Sequence, residues 1–182
     1  MSSTKNKAIF IQALIGAILV TVLLIPFQAL TSYAPYTWMI FIPLILFFSF
    51  GGSQKLLPAM FLSFLSGILW GIAFFYLAAI MNGLPMPMVF GILTTALIFG
   101  ILAIHLILLG KTPFGMVPCV LIGFVESLFI FLIKPSNVSS IGSIQLIAFF
   151  AYGIVLSYIL VNVSGFFCKL ALGKDWLNSF NE

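Results

Sequence analysis

Residues 57–71 read LPAMFLSFLSGILWG, and residues 117–127 read VPCVLIGFVES. At an offset of 60, Pro58 falls on Pro118, Phe64 on Phe124, and small residues fall on small residues. A turn holding glycine and lysine precedes each stretch. Both prolines sit where a helix starts, because first-turn amides have no intrahelical partner to lose. Ala59, Ser63, Gly67 and Gly71 recur every four residues and so share one helix face. Gly115, Cys119, Gly123 and Ser127 repeat the pattern, which extends the second helix back to Gly115. Helices in lipid gain little from hydrophobic association and instead pack closely over small residues. The two ladders therefore read as helix-packing seams, with a narrow solute path between helices as the functional alternative. Looser ladders are Gly153, Ser157 and Gly165 near the end of the chain, and Ala13, Ala17 and Thr21 near its start.

Working outward, the rest of the chain is equally apolar. Of its 182 residues 63% are hydrophobic and 5% charged, against about 25% charged in an average soluble domain. Mean hydropathy is +1.32. Ten charged residues cannot clothe a soluble globule of this size, which excludes soluble enzymes, nucleic-acid binders and disordered linkers. A bilayer core takes about 20 apolar residues per helix. Six segments qualify, near 8–30, 36–50, 56–81, 85–109, 114–133 and 142–171. The first follows lysines, as a signal peptide would, but its length and the lack of a cleavage site favour a retained helix. The second carries Pro43 and is expected to be short or kinked. The connections are brief, so neighbours in sequence are expected to be antiparallel neighbours in space.

Orientation follows from the lysines. Six helices put Lys5, Lys7, Lys55, Lys111, Lys169 and Lys174 on one side and leave Lys134 alone on the other, which predicts cytoplasmic termini. The expected fold is thus all-α: one polytopic transmembrane domain over residues 1–182, with six spans and a parallel internal repeat pairing helices two and three with helices four and five. Tyr33, Tyr36 and Trp38 are expected at the outer interface and Trp176 at the inner one, with Trp70 deeper.

Polar residues within the spans are few. Glu126, in the fifth helix, is the one acid placed inside a span; it must face a partner, face water, or hold a proton. His105 is the single histidine, either hydrogen-bonded locally or acting as a gate or partner for Glu126. Asn162 is the deepest amide of the sixth helix. These three are the candidates for a solute or proton path. Gln12, Gln28, Asn82 and Gln145 are weaker candidates, and Thr94 and Thr95 lie in the fourth helix, where hydroxyls can bond back to the helix carbonyls. Asn137-Val138-Ser139 matches a glycosylation sequon. Cys119 and Cys168 lie in apolar runs and do not suggest a disulfide. No metal-ligand spacing, nucleotide-binding loop or catalytic triad is present, so neither metal nor cofactor is expected and an enzyme is disfavoured.

Phe50-Gly51-Gly52-Ser53-Gln54-Lys55, followed by Ser66-Gly67-Ile68-Leu69-Trp70, resembles the YcdZ-like small bacterial inner-membrane proteins (domain-of-unknown-function family 1097). These share a Gly-Gly-x-x-Lys turn and a Ser-Gly-x-x-Trp helix. Val117-Pro118 leading to Gly123 resembles their later Val-Pro segment. The likeness runs loosely over residues 8–170, but the turn lacks the family's preceding Cys-Pro and Glu126 has no matching position. The resemblance implies an integral inner-membrane protein and no particular activity. The expected function is a channel or transporter that passes a small neutral or weakly acidic solute, acting in the lipid bilayer as a homo-oligomer without nucleic acid. The alternatives are a structural or accessory membrane subunit without a path, or a small-substrate-binding subunit of an importer.

Overall fold

The computed structural model describes residues 3–81, 83–132, 141–173 and 176–177. Asn82, Lys134 with its loop and sequon, Lys174, Asp175 and Glu182 lie outside them. All described secondary structure is helical, in six α-helices: α1 (Ser3–Leu30), α2 (Thr37–Ser49), α3 (Leu57–Ile80), α4 (Met86–Ala103), α5 (Val117–Leu132) and α6 (Ser143–Leu172). Short 3₁₀ turns at Ala34–Tyr36 and Gln54–Leu56 lead into α2 and α3, and α4 runs on into a π-helical turn at Ile104–Leu108.

Four stretches are long and apolar enough to cross a bilayer: Thr4–Ala29, Gln54–Ile80, Pro87–Leu108 and Ser143–Leu172. The other two, Ala34–Ser49 and Val117–Ile130, are apolar but shorter. Proline shapes both of these. Pro43 sits inside α2, and the chain from Lys111 to Met116 is turn and irregular backbone, so α5 begins at Val117 beside Pro118. This corrects the expected start near residue 114 and removes Gly115 from the α5 ladder. A methyl group at Gly115 would strike the carbonyl oxygen of Leu109 and lie 2.8 Å from the Gly110 Cα. Gly115 therefore lets the chain double back beneath the π-helical turn, and it takes no part in the α3–α5 seam.

The most intimate pairing in the molecule is α3 with α5, which run parallel. A methyl group at Gly67 would overlap the carbonyl oxygen of Val120 and lie 2.8 Å from the amide nitrogen of Phe124. One at Gly123 would overlap the carbonyl oxygen of Phe64 and lie 3.1 Å from the Gly67 Cα. One turn further on, a methyl group at Gly71 would run into Ser127. Each of the two crossing glycines thus meets the carbonyl three residues before the other. The local contact symmetry pairs Gly67 with Gly123, one turn out of step with the repeat in the sequence, which pairs Gly67 with Ser127. Ser127 turns its hydroxyl back to the Gly123 carbonyl at 2.7 Å, so the seam stays free of unsatisfied donors.

Two apolar clusters flank this seam. One joins α3, α4 and α5 through Phe74, Val89, Leu93, Ile101, Val120 and Phe124. The other joins α2, α3 and α6, centred on Met39, Phe47, Met60, Phe64, Leu146 and Phe150. In the second, Phe64 and Phe150 stack at 3.8 Å between centroids with planes 9° apart. Gly153 makes the α2–α6 contact: a methyl group there would collide with the Pro43 ring and the Ile40 carbonyl. Gly153→Val is expected to destabilise the fold by about 3 kcal/mol, the upper end of the usual cost of overpacking, read as a lower melting temperature in detergent. Helix α1 is peripheral, resting on α6 and leaving Phe10, Leu14, Ile18, Val22 and Ile25 on its outer face. Polar contacts fasten it to α6 near both ends: the Tyr152 hydroxyl donates to the Leu23 carbonyl at 2.5 Å and the Cys168 thiol to the Ala8 carbonyl at 3.7 Å.

The aromatic residues expected at the outer interface divide into two kinds. Trp38 is 41% exposed and meets Phe129 edge-on at 5.5 Å. Tyr36 is buried and stacks on Phe149, which makes it part of the core. Trp176 is likewise buried, in a small cluster with Ala8 and Cys168.

Candidate functional site

The three path candidates occupy three separate places. His105 lies in the π-helical turn that ends α4, with 2% of its surface exposed. The wide turn, closed by the Leu109 amide on the Ile104 carbonyl at 2.9 Å, brings the imidazole between α3 and the α4–α5 connection. Trp70 Nε1 donates to His105 Nε2 at 3.1 Å, and His105 Nδ1 stands 2.7 Å from the Phe114 carbonyl oxygen. An indole can only donate and a carbonyl can only accept. The ring is therefore the neutral tautomer with its proton on Nδ1, donating to Phe114. Both nitrogens are spent on these partners, and Glu126 is not one of them. His105→Ala would leave the Phe114 carbonyl and the indole N–H without partners, at about 1–3 kcal/mol for each buried group. A double-mutant cycle with Trp70→Phe is expected to give a coupling energy of about 0.5–3 kcal/mol in thermal unfolding.

The same end of the bundle is tied by Ser63. Its hydroxyl donates to the Pro113 carbonyl at 3.0 Å and accepts from the Met116 amide at 3.1 Å. Ser63 is read from the sequence as a spacer in the seam; the structure makes it a clamp as well, holding the α4–α5 connection on α3. Two residues missed as partners, Trp70 and Phe114, could have been sought from one signal: an indole N–H within a span needs an acceptor.

Glu126 lies on α5 with 3% of its surface exposed, and its Oε1 has no hydrogen-bond partner. At helical spacing it shares a face with Ile122, Phe129 and Ile130, and all three belong to the apolar cluster of α2, α3 and α6. The carboxyl group therefore faces hydrocarbon side chains, a setting in which an ionised carboxylate has nothing to compensate its lost hydration. The other buried side-chain atom without a partner among the described residues is Thr94 Oγ1. The Thr94 hydroxyl thus does not take the bond back to its own helix that was open to it.

Asn162 is exposed, and its amide nitrogen donates to the Tyr158 carbonyl at 2.8 Å. It does not reach Glu126 or His105. It borders a groove of about 1080 Å³ between α1 and α6, whose lining also includes Gln12, Gly16, Phe48, Gly165, Lys169 and Trp176. Neither Glu126 nor His105 lines this groove. The groove gathers the first turns of α1, the α2–α3 turn and the last turns of α6 at one end of the bundle. Among the described residues no cluster of three or more potential metal ligands occurs, and both cysteines are free and buried.

Long apolar helices packed over a seam of glycines define a helical membrane protein. A family model described as "Protein of unknown function (DUF1097)" matches residues 12–167, and the chain belongs to that family. No curated protein and no solved structure matches the chain.

Proposed function

We propose that the chain is a multi-pass protein of the bacterial inner membrane that passes a small neutral or weakly acidic solute, with Glu126 as the polar station on the route. The observation that carries this reading is the carboxyl oxygen of Glu126, buried in an apolar cluster and without a partner. A charged side chain at the middle of a span costs about 2.5–3.5 kcal/mol even on lenient insertion scales. Packing does not use the group, so a protonated carboxyl that takes and releases a proton or a hydrogen-bonding solute is its best use. The neutral form is the one that fits the closed surroundings. Solute access then requires α5 to part from the α2–α6 side, while the glycine seam holds α5 on α3. Six membrane crossings with both termini in the cytoplasm agree with the lysines: Lys55 and Lys111 fall in the turns before α3 and α5, and Lys169 in the last turn of α6. A homo-oligomer would cover the apolar outer face of α1.

Flux into proteoliposomes is the test, with urea, short amides and short-chain acids as the panel. Wild type is expected to pass at least one of them, and Glu126→Gln, which keeps size and removes the titrating proton, to reduce that flux at least tenfold. Folded protein that passes none of the panel would reject the reading. A second reading, a structural or accessory subunit, is favoured by the absence of Glu126 from the large groove. In that case Glu126→Gln changes assembly with a partner and leaves membrane permeability at background.

A further inference from the structure

The groove between α1 and α6 differs from the Gly67–Gly123 crossing of α3 and α5 and from the Gly153 contact of α2 and α6 in what its glycines do. At Gly67, Gly123 and Gly153 a methyl group would strike backbone. At Gly16 it would meet only the Leu160 side chain, at 3.9 Å, and at Gly165 only the Trp176 ring, at 4.0 Å. These two glycines do not let backbones touch; they leave space open. The space has a direction. Along α1 it runs from Ile9 to Ala17, about 12 Å at the helical rise per residue, close to one leaflet of a hydrocarbon core about 30 Å thick. Its upper walls are mostly apolar, with Leu160, Val161 and Phe166 among them and Gln12, Asn162 and Ser164 as the polar exceptions. Its lower end holds Lys169 and Trp176. Lys169 is exposed and makes no ion pair or hydrogen bond among the described residues, and none of the described residues that line the groove is acidic. A mostly apolar slot about one leaflet deep, open to the side and ending at Lys169, has the shape and the charge of a site for one lipid.

We propose that this groove binds an anionic phospholipid of the cytoplasmic leaflet, with one acyl chain lying along Ala13, Gly16, Ala17 and Gly165 and the headgroup phosphate on Lys169. Juxtamembrane lysines attract anionic headgroups by about 1 kcal/mol each, enough to bias which lipid occupies the slot. Trp176 closes the inner end, where indoles favour the interface between hydrocarbon and water.

Native mass spectrometry of the detergent-purified chain tests this, with phosphatidylglycerol, phosphatidylcholine of the same acyl chains, and glycerol phosphate as probes. Wild type is expected to retain phosphatidylglycerol about fivefold over phosphatidylcholine. Lys169→Gln is expected to abolish that preference while still binding lipid. Gly16→Leu, which fills the slot, is expected to weaken retention of both lipids while melting within a few degrees of wild type. Glycerol phosphate is expected not to compete at equal concentration. Equal retention of the two lipids, an unchanged preference in Lys169→Gln, or full competition by glycerol phosphate would each overturn the proposal. So would a wild-type dimer that Gly16→Leu dissociates, since the occupant would then be a second copy. None of these readouts depends on Glu126, so this proposal and the transport reading fail separately.

Discussion

Gly123→Leu is expected to prevent recovery of folded protein, and the smaller change Gly67→Ala to lower stability by about 3 kcal/mol or more. Both glycines lie where α3 and α5 touch backbone to backbone, and even one methyl group at either position overlaps a carbonyl oxygen of the other helix. The far end of a flexible side chain could swing aside; a helical carbonyl cannot. The helices must separate, and separation empties contacts along the whole seam, including the Gly71–Ser127 approach one turn away. In lipid the loss is severe, because close packing is the main force holding helices together. The matched control is Gly91 in α4, where a methyl group would meet nothing within 4 Å. Gly91→Ala is expected to be neutral or to stabilise by up to about 1 kcal/mol through helix propensity alone. Thermal unfolding of the purified variants, followed by helical circular dichroism, separates the two cases. Equal melting of Gly67→Ala and Gly91→Ala would refute the backbone contact at the seam.

The contrast between those glycines marks how far the sequence could be read. Spacing of four along residues 59–71 is enough to place small residues on one face and to announce a close helix contact. Composition and the family's turn motif are enough to announce a helical membrane protein. Which helix receives the face is a matter of three-dimensional pairing: Gly67 packs on Gly123 and not on Ser127, its equivalent in the repeat. Gly115 shows the same limit: its spacing fits the ladder, yet the chain is still turning there, and its smallness serves the reversal after the π-helical turn. His105 and Trp70 are 35 residues apart, and no local pattern couples them. Gly165 looks in sequence like one more packing residue; only the distances to their neighbours show that it and Gly16 leave a void. Legibility ends where a residue's role depends on what stands opposite it.

Glu126→Leu is expected to raise the thermal stability of the protein while abolishing flux, and the two effects together discriminate between functions. Leucine is close in volume and would suit the face shared with Ile122, Phe129 and Ile130. Replacing a buried carboxyl group that has an unpartnered oxygen removes a desolvation cost of about 1–3 kcal/mol that no hydrogen bond to that oxygen offsets. A gain of about 1–2 kcal/mol in unfolding free energy is therefore expected, against the usual result that core substitutions destabilise. A residue that weakens the fold and persists without a structural partner is the kind of local inconsistency that marks a functional position. Glu126→Gln sets the scale, because its amide keeps the polarity without the titrating proton, so its stability is expected to stay near wild type while its flux falls. If Glu126→Leu instead melts lower than wild type, the carboxyl group has a partner that stabilises it, such as a neighbouring subunit, and the accessory-subunit reading gains. If it melts higher and still transports, the solute passes elsewhere and Glu126 is not its station.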